Sequence, residues 1–203
     1  GLQSLDLSML DNITTIGSNF LDGCTGLKSI DLSPLSNLET IGSHFMANSH
    51  LTNINLGVMT SLTTIGDYFL ANCSNLMNID LSALAALQTI GSYFMNNCLG
   101  LRSCHTGTHL ANLTSIGSHF LDNCTGLNNL NLSGLTNSSV TITGDYFLYN
   151  CPSLAYVNMG QYATISGTDN YSFATEDASV KTTVITGNKM ADIVRNFPNR
   201  TLH

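Results

Sequence analysis

The sequence predicts a solenoid of stacked coils, each contributing one short parallel strand, and three observations predict it. One phrase returns every 24 to 27 residues, beginning at Leu2, Leu27, Leu51, Leu76, Leu101, Leu127 and Leu154. Within the phrase the first, fourth and sixth residues are mostly Leu or Ile and those between are polar, the alternation of a strand with one buried face. Past the strand, most phrases carry I-G-[S/D]-x-F-[L/M] and then, in most copies, N-C or G-C. Repeats of this length cannot bury an apolar face alone, so neighbouring coils supply one another's core.

The strand is clearest in the coil from Leu27, where Leu27, Ile30 and Leu32 point inward and Ser29 and Asp31 outward. The second half of that coil carries Leu38 and Ile41, then Phe45 and Met46, with Gly42 expected to mark a tight backbone bend. From coil to coil, Ile16, Ile41, Ile65, Ile90, Ile116 and Ile142 form one column and Phe20, Phe45, Phe69, Phe94, Phe120 and Phe147 another. A phenylalanine recurring at this period reads as a packing spine. Five of the six cysteines share one repeat position (Cys24, Cys73, Cys98, Cys124, Cys151), with Ser49 standing in once, and Cys104 replaces the inward Ile. Parallel side chains in a ladder do not readily turn toward each other, so six buried thiols are expected instead of disulfides, and the redox compartment is not readable from them.

From Gln161 the phrase dissolves. Residues 179–186 read as a β-branched strand, and Asn188 can cap a short helix with Met190, Ile193, Val194 and Phe197 on one face and Pro198 at its end. The expected organisation is therefore a seven-coil solenoid over residues 1–160 and a small strand-helix cap over 161–203.

Charged residues are 9% of the chain and the net charge is −7, with no basic run, which argues against a nucleic-acid backbone as partner. No apolar stretch reaches the length of a membrane span. The chain starts at Gly1 in mid-phrase, as expected of a mature or excised fragment, and the sequons such as Asn12-Ile13-Thr14 and Asn112-Leu113-Thr114 follow from its Asn- and Thr-rich composition. The motifs H-E-x-x-H, G-x-S-x-G, G-x-x-x-x-G-K-[S/T] and C-x-x-C are all missing, so no catalytic residue, metal or cofactor is expected.

The pattern C-x-x-L-x-x-I-D-L-S followed by L-x-x-I-G-S-x-F-[L/M]-x-x-C resembles the BspA-like leucine-rich repeats, also called the Treponema pallidum type, over roughly residues 2–160. The chain departs from that pattern with Phe-Leu or Phe-Met where the family often has Ala-Phe, and with Leu-Ser where it has Leu-Pro. Leu35 and Leu84 occupy the place of the asparagine ladder of better-known leucine-rich repeats. The resemblance implies a leucine-rich repeat solenoid whose strands form a concave sheet opposite an irregular convex side. It also implies a bacterial or protist protein, secreted or at the cell surface, that binds host or neighbour-cell proteins and has no catalytic residues.

Candidate contacts lie on the strand face. Its outward column runs Asp6, Asp31, Asn55, Asp80, His105, Asn131 and Asn158, beside a second column of Ser4, Ser29, Asn53, Asn78, Ser103, Asn129 and Tyr156. These residues read either as solvated compact positions or as a polar face across which a protein partner lies. Calcium between Asp6 and Asp31 is a third reading, with a thin oxygen shell. The coil from Leu101 is irregular, with Cys104 and Thr106 at core positions, and clusters Arg102, His105 and His109. A further surface column, Asn19, His44, Tyr68, Tyr93, His119 and Tyr146, reads equally as interface anchors or as packing over the Phe spine. Two other functional readings stay open: a structural stalk that projects another domain, and an intracellular scaffold.

Overall fold

A computed structural model describes residues 1–108, 110–137, 140–142 and 145–158, with two strands nearer the C-terminus, and in it parallel strands stack coil upon coil into two sheets. The first sheet is made of Thr-Ile pairs, with Ser once in the place of Thr, in the order β1 (Thr15–Ile16), β2 (Thr40–Ile41), β3 (Thr64–Ile65), β5 (Thr89–Ile90), β7 (Ser115–Ile116), β9 (Thr141–Ile142) and β11 (Thr164–Ile165). The second, on the strand face, is β4 (Asn78–Asp80), β6 (Ser103–His105), β8 (Asn129–Asn131), β10 (Tyr156–Asn158) and β12 (Val184–Thr186). Register is one coil to the next without slip, as Thr40 faces Thr64 and Asp80 faces His105. The chain is thus the leucine-rich repeat solenoid that the sequence predicts.

Each coil carries a second strand beyond the one the sequence predicts. β-Branched Thr and Ile suit a pleated surface, with Ile inward and Thr outward, and this two-residue strand is the one that runs unbroken from coil to coil. The strand face is less regular. Its ladder begins only at β4, where the inward residues Ile79, Cys104, Leu130 and Val157 are fully buried. Residues 29–31 and 53–55 cross the same face without strand pairing, and Ile30 and Ile54 are only partly buried. β12 falls within the segment 179–186 expected as a strand, and β11 and β12 carry both sheets beyond residue 160. The expected cap helix from Asn188 lies outside the described residues.

The core is a set of columns. Rings from Phe20 to Phe147 stack face to face at 5.2–5.5 Å between neighbours, and all but Phe20 are fully buried. Gly42 meets a different demand from the bend expected of it. A Cβ there would lie 2.7 Å from the carbonyl carbon of Gly17 one coil below, and Gly66, Gly91 and Gly117 repeat the same close approach. The sharp backbone geometry lies further on, in S-x-F-[L/M]-x-N, where every second residue has positive φ: His44, Met46 and Asn48, then Tyr68, Leu70 and Asn72. A side chain in that region costs about 1–2 kcal/mol. The offset comes from the amides, which alternate between neighbours: Tyr68 N–H donates up to Ser92, Leu70 N–H down to Phe45 and Asn72 N–H up to Asn96, at 2.8–3.0 Å. Gly23 takes the Asn48 position in the first coil, with φ 69. Among the described residues no helix is long and apolar enough to cross a membrane.

The Phe spine yields the first prediction. Phe94→Ala empties a site closed by rings above and below and lowers stability by about 3–5 kcal/mol in urea unfolding, whereas Phe94→Leu loses clearly less.

Candidate functional site

The acidic column of the strand face turns out to be part of the coil's corner. The side-chain oxygens of five of its members accept the backbone N–H two residues on: Asp6 from Ser8, Asp31 from Ser33, Asn55 from Gly57, Asp80 from Ser82 and Asn131 from Ser133, at 2.8–3.0 Å. These are Asx turns, in which a short polar side chain closes the corner that the strand leaves open. The amide of Ser8 holds the Asp6 carboxyl below its usual range, and that of Ser33 does the same for Asp31. For Asp80 the Ser82 side chain is the larger cause, with His105 adding to it. Asn55 and Asn131 make the same turn with no charge, so the corner needs the oxygen and not the carboxylate.

The sheet brings the predicted face together from its fourth coil onward: Asp80, His105, Asn131 and Asn158 stand side by side in register, and Ser103 Oγ donates to Asn78 Oδ1 at 2.7 Å. Arg102, just before β6, and His105, its last residue, are both exposed. The irregularity there has a local cause. Thr106 turns inward and donates its hydroxyl to the Asn131 carbonyl at 2.8 Å, and Gly107, at φ 60, replaces the Asx turn. His109 lies outside the described residues. No group of three or more His, Cys, Asp or Glu able to hold a metal occurs among the described residues.

The second candidate surface is an aromatic ridge. His44, Tyr68, Tyr93, His119 and Tyr146 stack in one continuous column with centroids 4.3–4.6 Å apart and planes within 3–12°. All are half-buried, so ring faces cover each other while edges stay accessible. Burial, with the adjoining Tyr93, holds the Tyr68 phenol above its ordinary value. The two readings of this column thus meet in one arrangement, since packing fixes the rings that an interface would use.

Two polar ladders flank the ridge. Asn72 Nδ2 donates to Asn48 Oδ1 at 2.8 Å and Asn97 Nδ2 to Asn72 Oδ1 at 3.0 Å, and Asn48 itself donates to Asp22. An asparagine ladder therefore exists, one residue before the cysteines. The thiols form the other ladder: Cys73, Cys98, Cys124 and Cys151 donate to the carbonyls of Met46, Leu70, Met95 and Leu121 at 3.1–3.2 Å. Ser49 Oγ lies 3.2 Å from Cys73 Sγ, a hydroxyl in a thiol's place. All six cysteines are free, five of them buried and Cys24, against expectation, only partly so; burial pushes Cys104 up to about 12 and raises Cys98 and Cys124 as well.

One residue that the sequence reading passed over stands apart. Asp122 is 5% exposed, its Oδ2 lies 2.7 Å from His119 Nδ1, and its Oδ1 has no hydrogen-bond partner. Burial raises its carboxyl above the usual range, with the His119 contact opposing. The equivalent residues of earlier coils are Asp22, which is exposed, and then Ala47, Ala71 and Asn96. That break in a column is the signal the sequence held.

A family model described as BspA type leucine rich repeat region matches the chain in six copies, over residues 2–113 and 108–193. No curated protein matches it in sequence. Among solved structures it is similar to a leucine-rich repeat protein from Bacteroides ovatus, with 19% identity over 89% of this chain and 56% of that one and a TM-score of 0.43. It is also similar to the functional domain of InlJ from Listeria monocytogenes, which includes a cysteine ladder, with 13% identity over 97% of this chain and 64% of that one and a TM-score of 0.22. An internalin, inlF, from the same species shares 15% identity over 98% of this chain and 70% of that one, with a TM-score of 0.24. The chain thus spans less than two thirds of the first two of these proteins.

Two outcomes follow from the ladders and from Asp122. In the native protein at pH 8, a disulfide reagent titrates Cys24 first, while the five buried thiols react only at the rate of unfolding. Asp122→Ala, which copies Ala47 and Ala71, raises stability in urea by about 1 kcal/mol at pH 8. That gain shrinks as pH falls, because the penalty on Asp122 is present above its raised folded value and gone below the unfolded value of about 3.9.

Proposed function

The chain belongs to the BspA-type leucine-rich repeat family of protein-interaction modules, and on that premise we propose that it is a non-enzymatic adhesion module of a bacterial or protist protein. In this reading the protein is secreted or surface-bound and engages a host or neighbouring-cell protein, such as an extracellular-matrix component, across the strand face. The observation that carries the reading is the pattern of charge on the corner column. Asn suffices for the Asx turn at Asn55 and Asn131, so the carboxylates at Asp6, Asp31 and Asp80 are more than the fold requires. Beside them stand His105 and Arg102 at the irregular coil and Tyr156 on the same sheet, which vary the chemistry along an otherwise uniform surface. Small polar groups on a rigid sheet suit a partner that is steered by charge and held by many hydrogen bonds.

The aromatic ridge supports a second contact surface on the same module. Tyr and His are frequent interface anchors, and stacking has already removed the rotamer freedom that binding would otherwise cost.

The test is binding of the purified protein to an array of extracellular-matrix and cell-surface proteins, beside a triple variant, Asp31→Asn, Asp80→Asn and His105→Ala. Asn keeps both Asx turns, so the melting temperature should hold while affinity falls at least about tenfold. Unchanged affinity would falsify the strand-face assignment. Silence from both proteins across the array favours the stalk.

A further inference from the structure

Resting on the protein-binding reading above, we propose that Asp122, His119 and the Tyr146–Tyr149 corner form a recognition site for a cationic side chain, a lysine ammonium or an arginine guanidinium, presented by the protein partner. The argument starts from the repeat itself. Where Asp122 stands, the coils beginning at Leu27 and Leu51 place the fully buried Ala47 and Ala71, so stacking needs nothing polar at this position. The first coil also has an acid there, Asp22, but that residue is exposed and accepts from Asn48 Nδ2 at 2.8 Å. Asp122 is instead buried, with one oxygen on His119 Nδ1 at 2.7 Å and the other without a partner. A desolvated carboxylate oxygen left in that state attracts a cation or a strong donor and repels anions.

The surroundings select for a cation. Tyr149 occupies the same column one coil further on, where its carbonyl accepts from Asn123 N–H at 2.8 Å. Its ring meets Tyr146 edge to face, with centroids 5.2 Å apart at 81°, and Tyr146 stacks on His119 at 4.6 Å. Two phenol rings at right angles, one of them stacked on the imidazole that Asp122 contacts, supply with that acid the two groups that hold ammonium and guanidinium ions, a negative π face and a carboxylate. His44-x-x-Ala47, Tyr68-x-x-Ala71 and Tyr93-x-x-Asn96 offer no acid at this place, so the site occurs once in the described ridge. Because Oδ1 is buried, engagement requires neighbouring side chains to move.

The experiment is an NMR titration of the whole chain with n-butylammonium chloride, read at the ring protons of His119 and Tyr149. Parallel titrations use n-butanol and sodium chloride at matched ionic strength. Saturable shifts with n-butylammonium alone are expected, weakened at least about tenfold by Asp122→Asn and unaltered by Asp31→Asn. Asn96 shows that the column accepts an amide, and Asp122→Ala, copying Ala71, replaces the Asn variant should it not fold. Equal shifts with n-butanol or sodium chloride, no saturable shift, or full response in the Asp122→Asn protein would each overturn the site. Such a result leaves the strand-face reading standing, since the array assay measures partner binding through Asp31, Asp80 and His105.

Discussion

Neighbouring coils approach so closely at Gly42, Gly66, Gly91 and Gly117 that one added methyl group would fall 2.6–2.7 Å from the backbone of the coil below. That contact sets a single spacing, close to the strand separation of about 4.8 Å, and every column must live with it. Only certain side chains tolerate an identical neighbour above and below at that distance. Flat rings do, which explains the Phe spine and the Tyr/His ridge. Asparagine does, because its amide donates to one neighbour while its carbonyl accepts from the other. Thiols do, because each donates to a carbonyl of the coil below. Carboxylates do so poorly, since like charges side by side repel; Asp6 and Asp31 stand in adjacent coils at the exposed end, and Asn55 and His105 separate Asp80 from any other acid of the column.

The same spacing decides what could be seen in the sequence. Inward Leu, Ile and Phe columns were legible, because burial demands apolar residues at a fixed period and tolerates little else. The Thr-Ile sheet was harder to see: a two-residue strand is too short for alternation to show, although β-branching at both positions was there to be weighed. Gly42 illustrates an ambiguity of glycine, which serves both turns and close approach; only the backbone one coil away distinguishes them. The left-handed run at His44, Met46 and Asn48 had one sequence trace, the exchange of Asn48 for Gly23. Such an exchange is what a left-handed position permits. The remaining two positions carry ordinary side chains, and their conformation follows from inter-coil hydrogen bonds that no local pattern encodes.

The corner column carries two signals at once. Asp31 and Asp80 read in the sequence as outward acids on a polar face, while the D-x-S spacing beside them encodes a turn closure that period-2 alternation does not show. The face is therefore partly architecture. What the corner leaves unexplained is the choice of Asp over Asn, because both close it and only one carries charge.

That distinction extends to the whole molecule. In a repeat protein, a residue that recurs in every coil is already explained by the stack, and recurrence alone says nothing about a ligand. A residue that stacking would replace needs another cause. Ala47 and Ala71 show that this position packs well without any polar atom, and the chain nonetheless buries a carboxylate there, with one oxygen unpaired, beside an imidazole and two crossed phenol rings. Destabilising groups persist in folded proteins chiefly where they act on something outside the fold. The departures from the repeat, the excess charge at the corners and the buried acid behind the ridge, are the places where this solenoid carries chemistry that its own stability does not require.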